Sequence, residues 1–427
     1  MIWLGSIFLF LLLIGMPIAF VLGVSALGYF LATGQTQFML VLPQRMLAGM
    51  DHFVLLAIPL FVLAGNIMDV GGLTQRLIGL ANSMVGRFRG GLSLTAVWGA
   101  FLFGGVSGSA AADAAALGTV MVPDMKRQGY DVDYSAALIA VSSLMAPLVP
   151  PSIAMIIYGA LSGTSISQLL IAGVVPGVML AVALSAYAIF IAHKHQYPRA
   201  APQSLREIGL GFVYAGPVLM LPVIIIVGIR GGVFTATEAA AVAAIYALLV
   251  SGLIYRALTW PFLRRALLNT AIITSAIYVL IAMANIAAFI FAIEQLPQHA
   301  VAGLTSLTDN PYLILLMVNI ILLILGMFLD TIGILILTVP ALTAIGTTLG
   351  MDPVHLGVMV VFNVLIGFVT PPVGLCLFVI ASVTGRPMEK IAVKALPMIG
   401  LALVILGLIS VFPDIVLFLP RLLNGGA

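Results

Sequence analysis

Along most of this chain the apolar positions do not alternate with polar ones at any period; they run on. Ile2 to Leu31 and Leu313 to Leu329 carry no charged residue, and each such run is apolar on every side. A helix that is hydrophobic all round is buried in a large core or in lipid. The strands of a membrane barrel would instead alternate in short segments, so the pattern predicts membrane helices.

The runs and their interruptions give a sequence of elements. The first run is interrupted at Gly15-Met16-Pro17 and reads equally as one kinked helix or two short ones; it is taken as membrane helix and not as a signal peptide, because it has no basic leader and no small-residue cleavage site. Gln35 to Met50 is mildly amphipathic and suits the interface. Spans follow at Phe53 to Val70, Leu169 to Ala192, Phe212 to Ile229, Ala239 to Tyr255 and Leu267 to Ile293, with a last one from about Ala395. Four further runs are broken inside. Gly91 to Val122 is cut by Gly104-Gly105-Val106-Ser107-Gly108-Ser109, and Pro311 to Ile345 near Gly326 to Gly333. Tyr134 to Ala160 is cut by Pro147-Leu148-Val149-Pro150-Pro151-Ser152, and His355 to Thr384 by Gly367-Phe368-Val369-Thr370-Pro371-Pro372.

These breaks are copies. The proline pairs are separated by 371 − 150 = 221 residues, and the same offset relates Gly129 to Gly350, Asp131 to Asp352, and Gly105 with Ser109 to Gly326 with Asp330. Residues 1–207 and 208–427 therefore read as two repeats. Each has a hairpin (91–123 and 311–346) and a broken helix (134–160 and 355–384), with helices at about 1–70, 169–192, 208–256 and 395–412 as a scaffold around a transport domain.

Charge sets the orientation. Basic residues collect on the cytoplasmic side, and all but three of the 17 Lys and Arg fall on one face if the hairpins are re-entrant and enter from opposite sides. The repeats are then inverted, an arrangement that places a transporter's site where the halves meet.

Composition agrees: 63% hydrophobic, 7% charged, net charge +3, and a mean hydropathy of +1.25. The fold class expected is an all-α polytopic membrane protein. One cysteine, Cys376, leaves no disulfide framework and no thiolate metal cluster. Neither a phosphate loop, nor a zinc motif, nor a nucleophilic triad is present, which excludes ATP hydrolysis within this chain and makes an intramembrane enzyme the weakest of the readings.

Helix breaks deep in lipid leave carbonyls that only protein or a polar cavity can receive, and a cation would satisfy them. A first clamp is expected from Ser107 and Ser109 with the carbonyls of Ala146, Val149 and Pro150. A second is expected from Gly326, Asp330, Thr331, Gly367, Thr370 and Val373. Hydroxyl, carbonyl and single-carboxylate oxygens suit a monovalent hard ion, sodium, better than calcium. Half-helix N-termini in the same clefts suit an anionic solute, for which Gly105, Ser109, Ser152, Asn66 and Asn285 are candidates. Competing readings stand beside these. Gly104 and Gly108 have the spacing of close helix packing, Asp113 could cap or pair within its own helix, and Asn66 and Asn285 (285 − 66 = 219) could be interhelical hydrogen bonds. A channel with the broken helices as its filter is the alternative function.

Through Gly104 to Asp113, Gly129-Tyr130-Asp131, Pro150-Pro151-Ser152, Gly326-Met327-Phe328-Leu329-Asp330, Asp352-Pro353 and Thr370-Pro371-Pro372-Val373-Gly374, the chain resembles the large membrane subunit of TRAP transporters, the tripartite ATP-independent periplasmic family. The resemblance implies a sodium-driven elevator in the bacterial inner membrane, importing a carboxylate. Its implied partners are a separate small four-helix membrane subunit and a soluble periplasmic binding protein that delivers the solute; no nucleic acid is implied. By that likeness Ser107 and Asp330 become sodium-site residues and Ser109 a substrate contact.

Overall fold

A computed structural model describes residues 2–70, 73–199 and 204–423, and over these the chain is helical, with no strand. Among the described residues seven helices are long and apolar enough to cross a membrane, and the pair Thr36–Met50 and Phe53–Asp69, bent by 58°, makes an eighth if counted as one span. The opening run resolves into two helices, Ile2–Leu13 and Ile18–Ala32, that pack on each other. Between them Gly15 takes φ +79°, where a side chain would be strained.

The helix boundaries repeat at the spacing read from the sequence. The first hairpin is Gly91–Ser107 and Ala110–Arg127, and the second is Pro311–Phe328 and Thr331–Thr348. Each then turns through a glycine of positive φ, Gly129 or Gly350, into an aspartate that caps the broken helix. Asp131 accepts the Asp133 amide at 2.9 Å, and Asp352 accepts those of Val354 and His355 at 2.8 and 3.1 Å. The short link thereby fixes the angle between hairpin and broken helix twice over.

Both broken helices are interrupted where expected. Val132–Ser142 gives way to a short 3₁₀ turn, Ser143–Met145, before the chain restarts as Ile153–Ser162; Pro353–Gly367 restarts as Leu375–Thr384. Their first halves are sheathed in protein, with Ala136 to Val141 and Val358 to Ile366 at 0% exposure. The irregular backbone therefore sits inside protein and not against lipid, the one place such backbone is tolerated at membrane depth.

Packing between the halves is reciprocal. Ala110–Arg127 lies on Leu375–Thr384, and Thr331–Thr348 lies on Ile153–Ser162. Met388–Val411 backs Val132–Ser142, and Ile166–Lys194 backs Pro353–Gly367. One bidentate contact of Arg386 with Asp133, its two hydrogen bonds at 2.6 and 2.7 Å, and a Lys394 to Asp131 ion pair at 2.9 Å tie the repeats together at one end.

Three helices were absent from the sequence reading; one, Pro413–Leu423, follows the last span and packs on Ile166–Lys194, and the other two lie beside the hairpins. Leu73–Val85 occupies what reads as a basic connection and packs along Gly91–Ser107, while Leu296–Leu307 occupies what reads as an outer loop and packs along Thr331–Thr348. Both are short and amphipathic, carrying polar residues such as Gln75, Arg76 and His299 among the apolar ones, so neither registers as a continuous run.

Candidate functional site

The first hairpin ends because Gly108, at φ +63°, reverses the backbone and Ser109 is extended. A Cβ on Gly104 would lie 2.6 Å from the Cα of Ala146, so the tip and the break touch backbone to backbone. The second clamp is built the same way: a Cβ on Gly367 would lie 2.5 Å from the Cα of Gly326. Glycine at these crossings is needed for close approach, and the small-residue spacing serves tip-to-break packing rather than a helix dimer.

In the first clamp the Ser107 hydroxyl donates to Oδ1 of Asp113, and the Ser109 amide donates to Ser107 Oγ at 3.3 Å. Asp113 is 0% exposed, and its Oδ2 has no partner among the described residues. Val149 Cγ1 and the Pro150 carbonyl oxygen lie 3.5 and 3.7 Å from a Cβ built on Gly105. Among the described residues no N–H reaches the carbonyl oxygens of Ala146, Val149 or Pro150. An orphaned, fully buried carboxylate oxygen is an unfavourable arrangement until a proton or a cation joins it, and the free carbonyls lie in the break that the same tip touches. The residues present fit a sodium ion.

In the second clamp Asp330 caps the returning helix, its Oδ2 accepting the amides of Ile332 and Gly333 at 3.1 and 3.2 Å. The Thr331 hydroxyl is buried with no partner among the described residues. The Thr370 hydroxyl donates to the Ile366 carbonyl at 2.7 Å, and the Gly367 carbonyl takes the Thr370 amide at 3.0 Å, so each oxygen keeps acceptor capacity to spare. No hydrogen bond reaches the carbonyls of Thr370 or Val373 among the described residues. The oxygen set is again that of a hard monovalent ion.

Between the clamps lies a cavity of about 400 Å³. Its wall brings together Ser109, Ala110 and Ala111 from the first tip, Ile153 and Ala154 after the first break, Asp330 and Thr331 from the second tip, and Leu375 after the second break. These are the first residues of four helices, whose N-termini all face one space. Ile273 and Ile277 of the long helix Trp260–Ile293 close the side opposite. Among the described residues no Lys or Arg lines it.

The sequence-derived solute contacts divide on this geometry. Ser109 lines the cavity and Gly105 sits behind it against the break. Ser152 is turned away: its hydroxyl donates to the Pro147 carbonyl and accepts the Met155 amide at 3.2 Å, capping the helix it precedes. Asn66 donates to Thr270 Oγ1 at 3.0 Å, the interhelical bond offered as the competing reading, and lies outside the cavity wall. Asn285 is also outside it, lining separate cavities further along its helix. Asp113, read from the sequence as a residue that could cap or pair within its own helix, takes its hydrogen bond from Ser107 at the end of the preceding helix. The signal that could have found it is an acid in the first turn of a re-entrant helix, four residues after an N-capping serine.

The comparisons with known proteins point one way. The family profile for the tripartite ATP-independent periplasmic transporter, DctM component, matches residues 5–415. The sialic acid TRAP transporter large permease protein SiaM of Vibrio cholerae is 39% identical over 99% of both chains. The C4-dicarboxylate TRAP transporter large permease protein DctM of Pseudomonas aeruginosa is 40% identical over 88% of both, and the 2,3-diketo-L-gulonate TRAP transporter large permease protein YiaN of Escherichia coli is 38% identical over 96% of both. Among solved structures, the YdaH transporter of Alcanivorax borkumensis superposes with a TM-score of 0.62 over 96% of this chain and 98% of that one; at 14% identity this is a likeness of fold. Apolar spans, broken helices and full-length kinship together place the chain in the DctM family: it is a multi-pass inner-membrane protein, a TRAP transporter large permease.

Proposed function

We propose that this chain imports an anionic organic solute coupled to sodium, with one ion in each clamp and the solute in the cavity between them. The observation that carries the reading is the convergence of four helix N-termini on a cavity that holds no basic side chain. A side-chain cap takes only one or two of the first-turn amides at three of these ends, and each N-terminus carries about half a positive charge, so the space favours a carboxylate without a permanent cation. The buried acids of the two clamps make the same space costly for an anion until sodium neutralises them. Solute and ion therefore bind better together than apart, which is what coupling requires.

The reciprocal packing supports a moving body made of both hairpins and both broken helices. Because Ile166–Lys194 and Met388–Val411 back the broken helices directly, we assign them to that body and not to the scaffold expected from sequence. The scaffold is then Ile2–Val70 with Leu205–Ile293, whose apolar outer faces, such as Val213 at 70% and Val227 at 62% exposure, meet lipid or a small membrane subunit. The curated relatives carry sialic acid, C4-dicarboxylates and diketogulonate by name. By that kinship the solute is an organic acid, handed over by a periplasmic binding protein.

The test is uptake into proteoliposomes holding the chain with its small subunit and binding protein. Asp330→Ser, which keeps an N-capping oxygen, should abolish sodium-driven uptake in protein that still purifies as a folded species; uptake of unaltered sodium dependence would overturn the assignment.

A further inference from the structure

Three basic residues fall outside the cytoplasmic clusters: Arg45, Arg230 and Arg421. Arg230 donates to the Leu423 carbonyl at 2.6 and 2.9 Å, closing a helix end, and Arg421 pairs with Asp414 at 2.5 Å. Arg45 differs. It is exposed, its guanidinium lies 4.5 Å from the centre of the Phe289 ring, and among the described residues no carboxylate is within ion-pair reach. The nearby Glu294 is engaged elsewhere, by the Tyr29 hydroxyl.

Arg45 lines a cavity of about 440 Å³ with Asn285, Ala288, Phe289 and Ala292. Asn285 and Ala288 also line a second cavity, of about 250 Å³, with Ile281 and Ala284. One stripe of the helix Trp260–Ile293 thus runs past three spaces in turn. Ile273 and Ile277 face the solute cavity, Ile281 to Ala288 the next, and Asn285 to Ala292 the outermost. Residues four apart share a helix face, and Ile277 to Asn285 spans roughly 12 Å along the axis.

The middle cavity also lies between the two bodies. Gly49, His52 and Leu55 wall it on one side, Ile157 and Leu161 of the first broken helix and Ile336 and Pro340 of the second hairpin on the other. Glycine at 49 brings the Arg45 helix onto this track, since a Cβ there would lie 2.8 Å from the Cβ of Asn285 and nearer still to its amide. Arg45 and Gly49 are one turn apart on the same face.

We propose that Arg45 and Asn285 form an outer capture site for a carboxylate, the first contact of the solute with this chain on its way to the hairpin tips. The proposal rests on the transporter reading for its direction. The stacked guanidinium is held by its face and leaves N–H edges free for bidentate contact with a carboxylate, a contact a lysine cannot reproduce. Apart from Arg45, Asn285 and His52 the track is apolar, so an anion held at Arg45 has one charged contact to break before moving inward.

The test uses the full chain with its small subunit in nanodiscs of zwitterionic lipid, carrying Gln44→Cys labelled with an environment-sensitive fluorophore. Cys376 is buried and stays unlabelled. With choline in place of sodium, N-acetylneuraminate and succinate should each shift the fluorescence with half-saturation on the order of millimolar, and mannitol should not. Arg45→Gln should weaken that response at least tenfold, and Arg45→Lys less. An unchanged response in Arg45→Gln, an equal response to mannitol, or a signal that follows anionic lipid content instead of solute would each overturn the capture site. In sodium-driven uptake Arg45→Gln should raise the solute concentration for half-maximal rate and leave the sodium dependence as it was. Absence of sodium dependence in the unaltered protein would sink the transporter reading and leave the fluorescence result to decide the capture site separately.

Discussion

The second clamp can be opened by a single methyl group. In Gly367→Ala the new Cβ would sit 2.5 Å from both Cα and C of Gly326, where ordinary contact begins at 3.4 Å. Both atoms are backbone and cannot swing aside, so the hairpin tip must separate from the break by about 0.9 Å. Overpacking of this kind costs about 1–3 kcal/mol, which a chain of this size survives. The proposed ion site would not survive it on the same terms. Its candidate oxygens come from both sides of that contact, and a hard cation holds its ligands to within a few tenths of an ångström. Sodium affinity at the second clamp should therefore fall at least tenfold, while the first clamp, built on Gly104 and Ala146, is untouched. The assay is a sodium titration of thermal stability, since a ligand that binds only the native state raises it by mass action. Gly400→Ala, where nothing lies within 4 Å of the added methyl, is the control and should titrate like the unaltered protein. A Gly367→Ala protein with the same sodium half-saturation as that control would refute the claim that the tip and the break share an ion.

Other expectations follow from the same contacts. Asp330→Ser keeps an N-capping oxygen for the amides of Ile332 and Gly333 but removes the charge, so stability should stay within about 1 kcal/mol while sodium-driven uptake is lost; Asp330→Ala should lose both, and differential scanning calorimetry beside uptake separates them. Asp113→Asn leaves a hydrogen-bond acceptor for Ser107 in a buried position and should abolish the sodium response of the first clamp alone, read by the same titration. Ser152→Ala removes a cap, at a cost of about 1 kcal/mol in thermal unfolding, and should leave the solute concentration for half-maximal uptake unchanged because the hydroxyl faces its own helix. At the end of the repeats opposite the hairpin tips, burial pushes the Asp131 carboxyl up, but the Lys394 ammonium and the amides of Asp133 and Tyr134 outweigh it and hold it below the usual range. A depressed acid contributes stability that is present above its unfolded value near 3.8 and is lost as pH falls through the lower folded value; Asp131→Asn should flatten that part of the pH profile of thermal unfolding below pH 4.

How far the sequence reaches can be judged at particular residues. Lipid leaves the backbone two ways to satisfy itself, so uninterrupted apolar runs already meant helices, and Gly and Pro inside those runs already marked where helices stop. Repetition at a fixed offset then set the boundaries, because Gly129-Tyr130-Asp131 and Gly350-Met351-Asp352 perform the same turn and cap. What the sequence could not give is any relation carried by distance in space. Leu73–Val85 and Leu296–Leu307 are helices because a hairpin lies beside them, not because of their own hydrophobicity. Ser152 and Asp113 exchange the importance suggested by their neighbours: one hydroxyl turns back to cap its helix, and one carboxylate turns inward with an oxygen to spare. Arg45 and Asn285, 240 positions apart in the chain, line one cavity only because Gly49 lets two helices close on each other. Local chemistry and the solvent fixed where this chain bends; which bent segments meet, and which oxygens are left over when they do, was decided by packing, since a contact between distant residues depends on every element that orients them.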